Sequence, residues 1–316
     1  MWARITKLQK FFFVLIVLSL MVVVIGKYLC ERYLNFDDVE YLNLGDVDIK
    51  SVAMSKIIGA MYMFVPAISV LMVEKWKLKK IVRDYQIRFK NIHIAQSLKY
   101  VLATAFLLPM IIVLFSYLLG NVLGLKDFGM LIISGEDLDP AILSQFPFPS
   151  LLANLSSRLL IVFPVAATLS LFAGCTFNLF FALGEEIAWR GFLEKEMFTK
   201  GRWKPFLIGI IWGLWHAPLI LMGYNYGEYH IPGIFVMVVA CIALAFYFSQ
   251  ALHYSGSLLV PTAMHGIINT IIIFNFVKIG NPLLGPPMGL TFALSVLTLI
   301  FVLWLFRKRT PNNEET

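Results

Sequence analysis

The sequence predicts an all-α protein, a polytopic integral membrane bundle of about eight transmembrane helices. Hydrophobic residues make up 59% of its 316 residues and charged residues only 14%, whereas a soluble domain is about half apolar and about a quarter charged. The apolar residues are grouped into segments long enough to cross a bilayer core of about 30 Å. The excess of 26 Lys+Arg over 19 Asp+Glu is small and typical of membrane topology. We therefore expect the lipid bilayer as a partner and no nucleic acid.

Eight apolar segments are candidates for the spans. They cover residues 11–26, 52–73, 100–120, 160–183, 205–223, 231–252, 257–277 and 289–306. The first segment is preceded by the basic residues Arg4, Lys7 and Lys10, as the apolar core of a signal peptide is preceded by basic residues. However, no small-x-small cleavage site follows it. We therefore expect it to stay as the first span.

The loop charges predict the orientation. Segment 74–99 carries eight basic residues and two acids, whereas segment 27–51 carries three basic residues and six acids. Segment 121–157 has one basic residue and four acids. Because basic loops stay in the cytoplasm, we place both termini and loop 74–99 inside, and loop 121–157 outside.

This order divides the chain into three regions. Residues 1–150 form an N-terminal membrane region with three spans, the basic loop and the outer loop. Residues 151–280 carry all the candidate catalytic helices. Residues 281–316 are the last span and a basic cytoplasmic tail. We expect a multi-pass integral membrane protein, in the cell membrane if the source is bacterial.

Ionisable residues at membrane depth indicate function by default, and the first cluster is the run GEEIAWR at the end of the fourth span. At about 100° per residue, Arg190 lies close to Glu186 around a helix and far from Glu185. We expect Glu186 and Arg190 to pair across one turn. Glu185 is then left on another face without a partner, and a carboxylate in apolar surroundings is a typical general acid or base.

The second cluster is the run GIIWGLWHAPLI in the fifth span. His216 has Trp212 one turn before it, and Gly209 and Gly213 share that face, where glycines let a neighbouring backbone approach. Pro218 removes a backbone hydrogen bond and is expected to bend the helix beyond the histidine. By itself, His216 is as well explained by an interhelical contact as by catalysis.

The third cluster is the run PTAMHGIIN in the seventh span. His265 and Asn269 are four residues apart, so both side chains are expected to face one cavity. They are candidates for polar interhelical contacts, for donors to an oxyanion, or for a metal ligand beside a supporting amide.

Together the clusters place one carboxylate and two imidazoles at similar depths. This set suits peptide-bond hydrolysis with water as the nucleophile. In one version Glu185, His216 and His265 hold Zn²⁺, which activates the bound water. In the other version Glu185 and His216 activate the water directly. The sequence favours neither version, so the metal requirement stays open.

The three motifs in order resemble the CPBP family, the type II CAAX prenyl endopeptidase and bacteriocin-processing (Abi) family of intramembrane proteases. The similar region is roughly residues 150–280, and Trp212 stands where the family usually has Phe. The resemblance implies that Glu185 is the water-activating base assisted by His216, and that His265 and Asn269 form the oxyanion site. Glu186, Arg190 and Trp212 would be structural. It also implies eight helices and a cavity open to the cytoplasm.

The sequence thus predicts an intramembrane endopeptidase, whether metal- or glutamate-dependent. Its substrate would be a membrane-associated peptide or protein, either CAAX-like or a small peptide of the bacteriocin type. One alternative is a non-catalytic immunity or scaffold protein of the same family. A small transporter is a weaker alternative, because the buried acid pair lies on a helix with no predicted break.

Overall fold

The computed structural model describes residues 6–33, 57–125, 128, 159–271 and 280–306, and these ranges contain helices and no strand. The predicted outer loop 121–157, most of segment 27–51 and the basic tail fall almost entirely outside them. The described residues include the thirteen α-helices named below, a further short helical stretch at 57–62, and two π-helical stretches at Ala103–Leu107 and Ile187–Leu193. The α-helices are α1 Lys7–Tyr33, α2 Val65–Val73, α3 Leu78–Asp84, α4 Ile94–Leu102, α5 Leu108–Val122, α6 Leu159–Cys175, α7 Phe177–Glu186, α8 Glu194–Glu196, α9 Trp203–Trp215, α10 Ala217–Ile220, α11 His230–Ser255, α12 Leu259–Ile268 and α13 Leu290–Leu305.

Three continuous helical segments in the described residues are long and apolar enough to cross a membrane: Lys7–Leu29, Ile94–Val122 and His230–Ser255. Two bent pairs raise this number to five. Ile57–Val73 meets Leu78–Asp84 at 109°, and Phe163–Cys175 meets Phe177–Glu196 at 58°. The all-helical class and its apolar helices are confirmed. The number of eight spans and the position of the termini stay predictions.

Helix breaks explain why some predicted spans are shorter than expected. The fifth predicted span is divided at His216, where α9 ends, and α10 follows with Pro218 in its first turn. The helix is thus interrupted beside this proline, which cannot donate a backbone hydrogen bond; the bend itself stays a prediction.

The helix ends that were predicted to be cytoplasmic lie together in the structure. Lys7 at the start of α1 contacts Glu74 at 2.8 Å and Glu196 at 3.2 Å, while Lys195 contacts Asp84 at 2.8 Å. Two more contacts join this group to the ends of α11 and α13: Arg88 donates to the Gly256 carbonyl and Lys99 to the Leu303 carbonyl. We call this part of the bundle the basic end.

Glycines allow the closest helix contacts near the candidate site. A Cβ added to Gly209 would lie 2.4 Å from the Ile242 backbone, and one added to Gly213 would lie 2.5 Å from the Val238 backbone. Helices α9 and α11 therefore pack backbone to backbone, as the shared glycine face predicted. This contact fixes the position of α9, which carries Trp212.

The sequence had suggested a plain α-helix for the segment that carries the acid pair, and the structure differs from this expectation. Its backbone changes to a π-helix over Ile187–Leu193, and Ala188 to Leu193 are all buried. π-Helical turns are rare and are often found at functional sites. The pair Glu185 and Glu186 lies immediately before this change.

Candidate active site

A cavity of about 440 Å³ lies within the bundle, and all four predicted catalytic residues line it. Glu185 comes from α7, His216 from the junction of α9 and α10, and His265 and Asn269 from the end of α12. The structure therefore brings the three sequence clusters to one place. Most of the wall is apolar or aromatic, as expected for a site that binds an organic ligand.

Glu185 is held by two indole N–H groups. Its side chain is buried, and Oε2 accepts hydrogen bonds from Trp212 Nε1 at 2.6 Å and from Trp189 Nε1 at 3.1 Å. The expectation that Glu185 lacks a partner is wrong, because its two donors come from aromatic residues, which a search for opposite charges overlooks. No lysine or arginine forms an ion pair with it among the described residues. Oε1 is the oxygen that faces His265, whose Nε2 lies 3.9 Å away.

Glu186 joins the two neighbouring polar residues into a buried network. Its Oε1 accepts from Arg190 Nη1 at 3.0 Å, which confirms the predicted pair, and lies 2.8 Å from His265 Nδ1. The Arg190 guanidinium lies over the rings of Trp212, at 4.5 Å, and Phe248, at 4.9 Å. A buried charge needs such partners to offset desolvation. The network sets the orientation of His265, because Nδ1 donates to Glu186 and Nε2 is left facing Glu185.

His216 presents one ring nitrogen to the cavity. Its Nδ1 lies 2.9 Å from the Trp212 carbonyl oxygen, and because a carbonyl can only accept, Nδ1 carries the proton. In the neutral ring Nε2 is then an acceptor. The ring packs edge-on against Trp215, with centroids 5.0 Å apart. Nε2 is therefore the ring nitrogen of His216 that can accept a hydrogen bond from a group in the cavity.

Asn269 lies at the end of α12, one turn after His265. Its backbone N–H donates to the His265 carbonyl at 3.0 Å, so the helix geometry fixes the spacing of the two residues. The residue is exposed, whereas His265 is buried. The amide can therefore meet a ligand that enters the cavity, and it can donate a hydrogen bond there.

Sequence reasoning missed several polar residues in the cavity wall, among them Asn178, Tyr224 and Asn225. Asn178 precedes Glu185 by seven residues, two helical turns, and this spacing places both on one face of α7. That spacing was a usable signal. Tyr224 and Asn225 lie in the turns between α10 and α11, where no pattern marks a residue for the site.

The predicted zinc ligands line one cavity but do not form a ligand set. Within the described ranges, no three His, Cys, Asp or Glu side chains are arranged to hold a metal ion. Glu185 Oε2 binds two indoles and His265 Nδ1 binds Glu186, so an ion would have to bind Glu185 Oε1 and His265 Nε2, which are 3.9 Å apart. The residues as placed do not fit the metal version, and we derive no step through Zn²⁺.

The comparisons with known proteins give one match. Residues 164–271 match the family described as Rce1-like, type II CAAX prenyl endopeptidase Rce1-like. No curated protein and no solved structure gives a significant match. The matched region contains the acid pair and both site histidines, so the resemblance inferred from the motifs is confirmed for this part of the chain. Residues 164–271 are therefore similar to the Rce1-like type II CAAX prenyl endopeptidases, a family of proteases.

Proposed function

We propose that the protein is an intramembrane endopeptidase that hydrolyses a peptide bond with water activated by Glu185. The observation that carries the proposal is the convergence of Glu185, His216, His265 and Asn269 on one cavity, together with the family match. Such a site needs a base, a second proton acceptor and oxyanion donors close to one point.

The two carboxylate oxygens of Glu185 have different roles in this mechanism, because both indole N–H groups donate to the same oxygen. Oε2 is occupied by Trp189 and Trp212, so Oε1 is free to accept a proton from water. His216 Nε2 accepts a hydrogen bond from the same water and aligns its lone pair. The water oxygen forms a bond to the scissile carbonyl carbon, and its proton passes to Glu185. The same proton then goes to the leaving amine as the C–N bond breaks, so the carboxylate is restored.

The carbonyl oxygen becomes an oxyanion when the water adds, and we propose that His265 and Asn269 stabilise it. Donation from His265 Nε2 requires a proton on both ring nitrogens. The Glu186 carboxylate at Nδ1 stabilises this cation, as a carboxylate stabilises the histidine of other hydrolytic sites. Asn269 donates through its amide. Removing one such donor costs about 10²–10³ in rate in a comparable site.

The substrate class follows from the family description and from the membrane setting. We propose a membrane-associated peptide or protein, either a prenylated CAAX-type chain or a small exported peptide. The apolar helices suggest an integral membrane protein, and we propose that it crosses the membrane several times, in the cell membrane if the source is bacterial.

The test uses a peptide tethered to the membrane next to the protein. We expect Glu185→Ala and His216→Ala to abolish its cleavage while both variants insert as the wild type does. Glu228→Ala is the matched control, because Glu228 is an exposed carboxylate that does not line the cavity. Cleavage at the wild-type rate in either site variant would contradict the mechanism.

A second candidate function is a non-catalytic immunity or scaffold role. The buried contacts among Glu186, Arg190 and His265 favour this role, because they would hold the helices together even in a protein that catalyses no reaction. Under this alternative Glu185→Gln keeps the biological phenotype, because shape and hydrogen bonding survive. Under the protease proposal the same change removes both the cleavage and the phenotype.

A further inference from the structure

Along the direction of the helices, the cavity lies on only one side of Glu185. Helix α7 runs toward the basic end, and the residues it adds to the wall, Asn178 and Phe181, precede Glu185. Helix α11 runs the same way and contributes only residues from its first 15 positions, such as Met237 and Leu244. Both helices therefore place the cavity on the side of Glu185 that is away from the basic end.

The helices that run in the opposite direction give the same result. The chain leaves the basic end in α9, and the wall residues continue from Trp212 through His216 to Asn225. Helix α12 contributes nothing before His265 but adds Asn269 after it. The segment 280–306 contributes Pro287 and Met288, just before α13 begins. Asn269 and Pro287 are exposed, so the wall reaches the surface there.

Between Glu185 and the basic end the described helices are tightly packed. The side chains in this layer are almost completely buried; they include Trp189, Arg190 and Phe192 after the acid pair, Ile208 on α9, Phe248 on α11 and Met264 on α12. From Glu185 to Glu196 the rise is about 16 Å along a helix. A substrate coming from the basic end would have to displace this layer.

We infer that the site is reached from the face opposite the basic end, which is the outer face in the orientation predicted by the loop charges. The substrate is then a peptide segment presented at the outer membrane surface, such as the membrane-proximal part of an exported peptide. This inference rests on the proposed protease function for the reaction and on the packing for the side of access. It differs from the cytoplasmic opening that the family resemblance implies.

The wall chemistry favours a neutral, apolar segment. Glu185 is the only acidic residue among the described wall residues, and no lysine or arginine is among them. Met237, Leu244 and Met288 can contact apolar side chains, while Asn178 and Asn225 can bind the peptide backbone.

The side of access can be tested without activity, by thiol labelling. The background replaces Cys30, Cys175 and Cys241 by Ala. Ala60→Cys puts a thiol on the cavity wall, and Lys79→Cys puts one on the exposed surface of the basic end. A small charged thiol reagent that cannot cross membranes is added to intact bacterial cells and then to permeabilised ones.

We expect Ala60→Cys to react in intact cells and Lys79→Cys to react only after permeabilisation. Reaction of Lys79→Cys alone in intact cells would overturn the inference, because the basic end would then face outward. It would also be overturned if Ala60→Cys reacted only after permeabilisation.

A second experiment links access to the reaction. The same cleavable segment is tethered to the membrane either on the outer face or on the cytoplasmic face. We expect cleavage of the outer substrate only, and cleavage of the cytoplasmic substrate only would overturn the inference. If neither substrate depends on Glu185, the proposed function fails while the labelling result still decides the side of access.

Discussion

The indole of Trp212 is expected to orient Glu185, and Trp212→Phe isolates this effect. The change removes the N–H that donates to Glu185 Oε2 at 2.6 Å and keeps an aromatic ring. That ring can still contact the Arg190 guanidinium, at 4.5 Å from its centroid, and the His265 ring, at 5.3 Å. The variant therefore tests one hydrogen bond with little other change.

The size of the effect follows from the type of bond. A hydrogen bond to a charged group contributes about 1.5–3 kcal/mol, and each 1.4 kcal/mol corresponds to about tenfold in rate. If the whole bond serves to orient the base, the catalytic rate should fall about 10- to 100-fold. The remaining donor, Trp189 at 3.1 Å, prevents a complete loss.

The assay is cleavage of a tethered or detergent-solubilised peptide, with kcat and KM measured separately. We expect a lower kcat and an unchanged KM, because the indole N–H contacts the base and not the substrate. Trp189→Phe is the matched control, since it removes the longer of the two bonds and should reduce kcat less. An unchanged kcat in Trp212→Phe, with the protein folded, would refute the positioning role.

Three further changes test stabilising contacts, two of them near the site and one at the basic end. Arg190→Met leaves a buried carboxylate without its counter-charge, so unfolding measurements in detergent should show a loss of about 3–5 kcal/mol. Gly266→Ala places a methyl group 2.4 Å from the Gly174 carbonyl oxygen and should cost about 1–3 kcal/mol, whereas Gly59→Ala, with its nearest neighbour at 3.9 Å, should be close to neutral. At the basic end, burial raises the pKa of Glu74, but hydrogen bonds from two lysines outweigh it and hold the pKa below its ordinary range. This carboxylate therefore stabilises the fold by about 1 kcal/mol at neutral pH. The contribution is lost as the pH falls through the pKa of Glu74 in the folded protein. Acid should therefore lower the melting temperature less in Glu74→Gln than in the wild type.

Local patterns in the sequence predicted Glu185, His216, His265 and Asn269, which line one cavity, but not the other polar residues of its wall. The pairing of Glu186 with Arg190 follows from helical spacing, and the helix break at His216 lies beside Pro218, which has no backbone N–H. These features depend on residues close together in the chain. They can therefore be read from one sequence.

The contacts that complete the site could not be predicted in the same way. The donors to Glu185 include Trp212, which is 27 residues away, and Glu186 binds His265 across 79 residues. Such contacts depend on how the helices pack. The π-helical stretch after Glu186 also had no signal in the apolar pattern. The side of Glu185 on which the cavity lies depends on several packed segments at once, so it could be seen only in the folded bundle.

The account depends most directly on Glu185 as the base that activates water. The decisive measurement is the single-turnover rate of peptide cleavage by purified Glu185→Gln, compared with the wild type and with Glu228→Gln. A general base contributes about 10²- to 10⁴-fold in rate, so we expect a decrease of that size in Glu185→Gln and none in the control. A Glu185→Gln protein that cleaves the peptide at the wild-type rate would contradict the account.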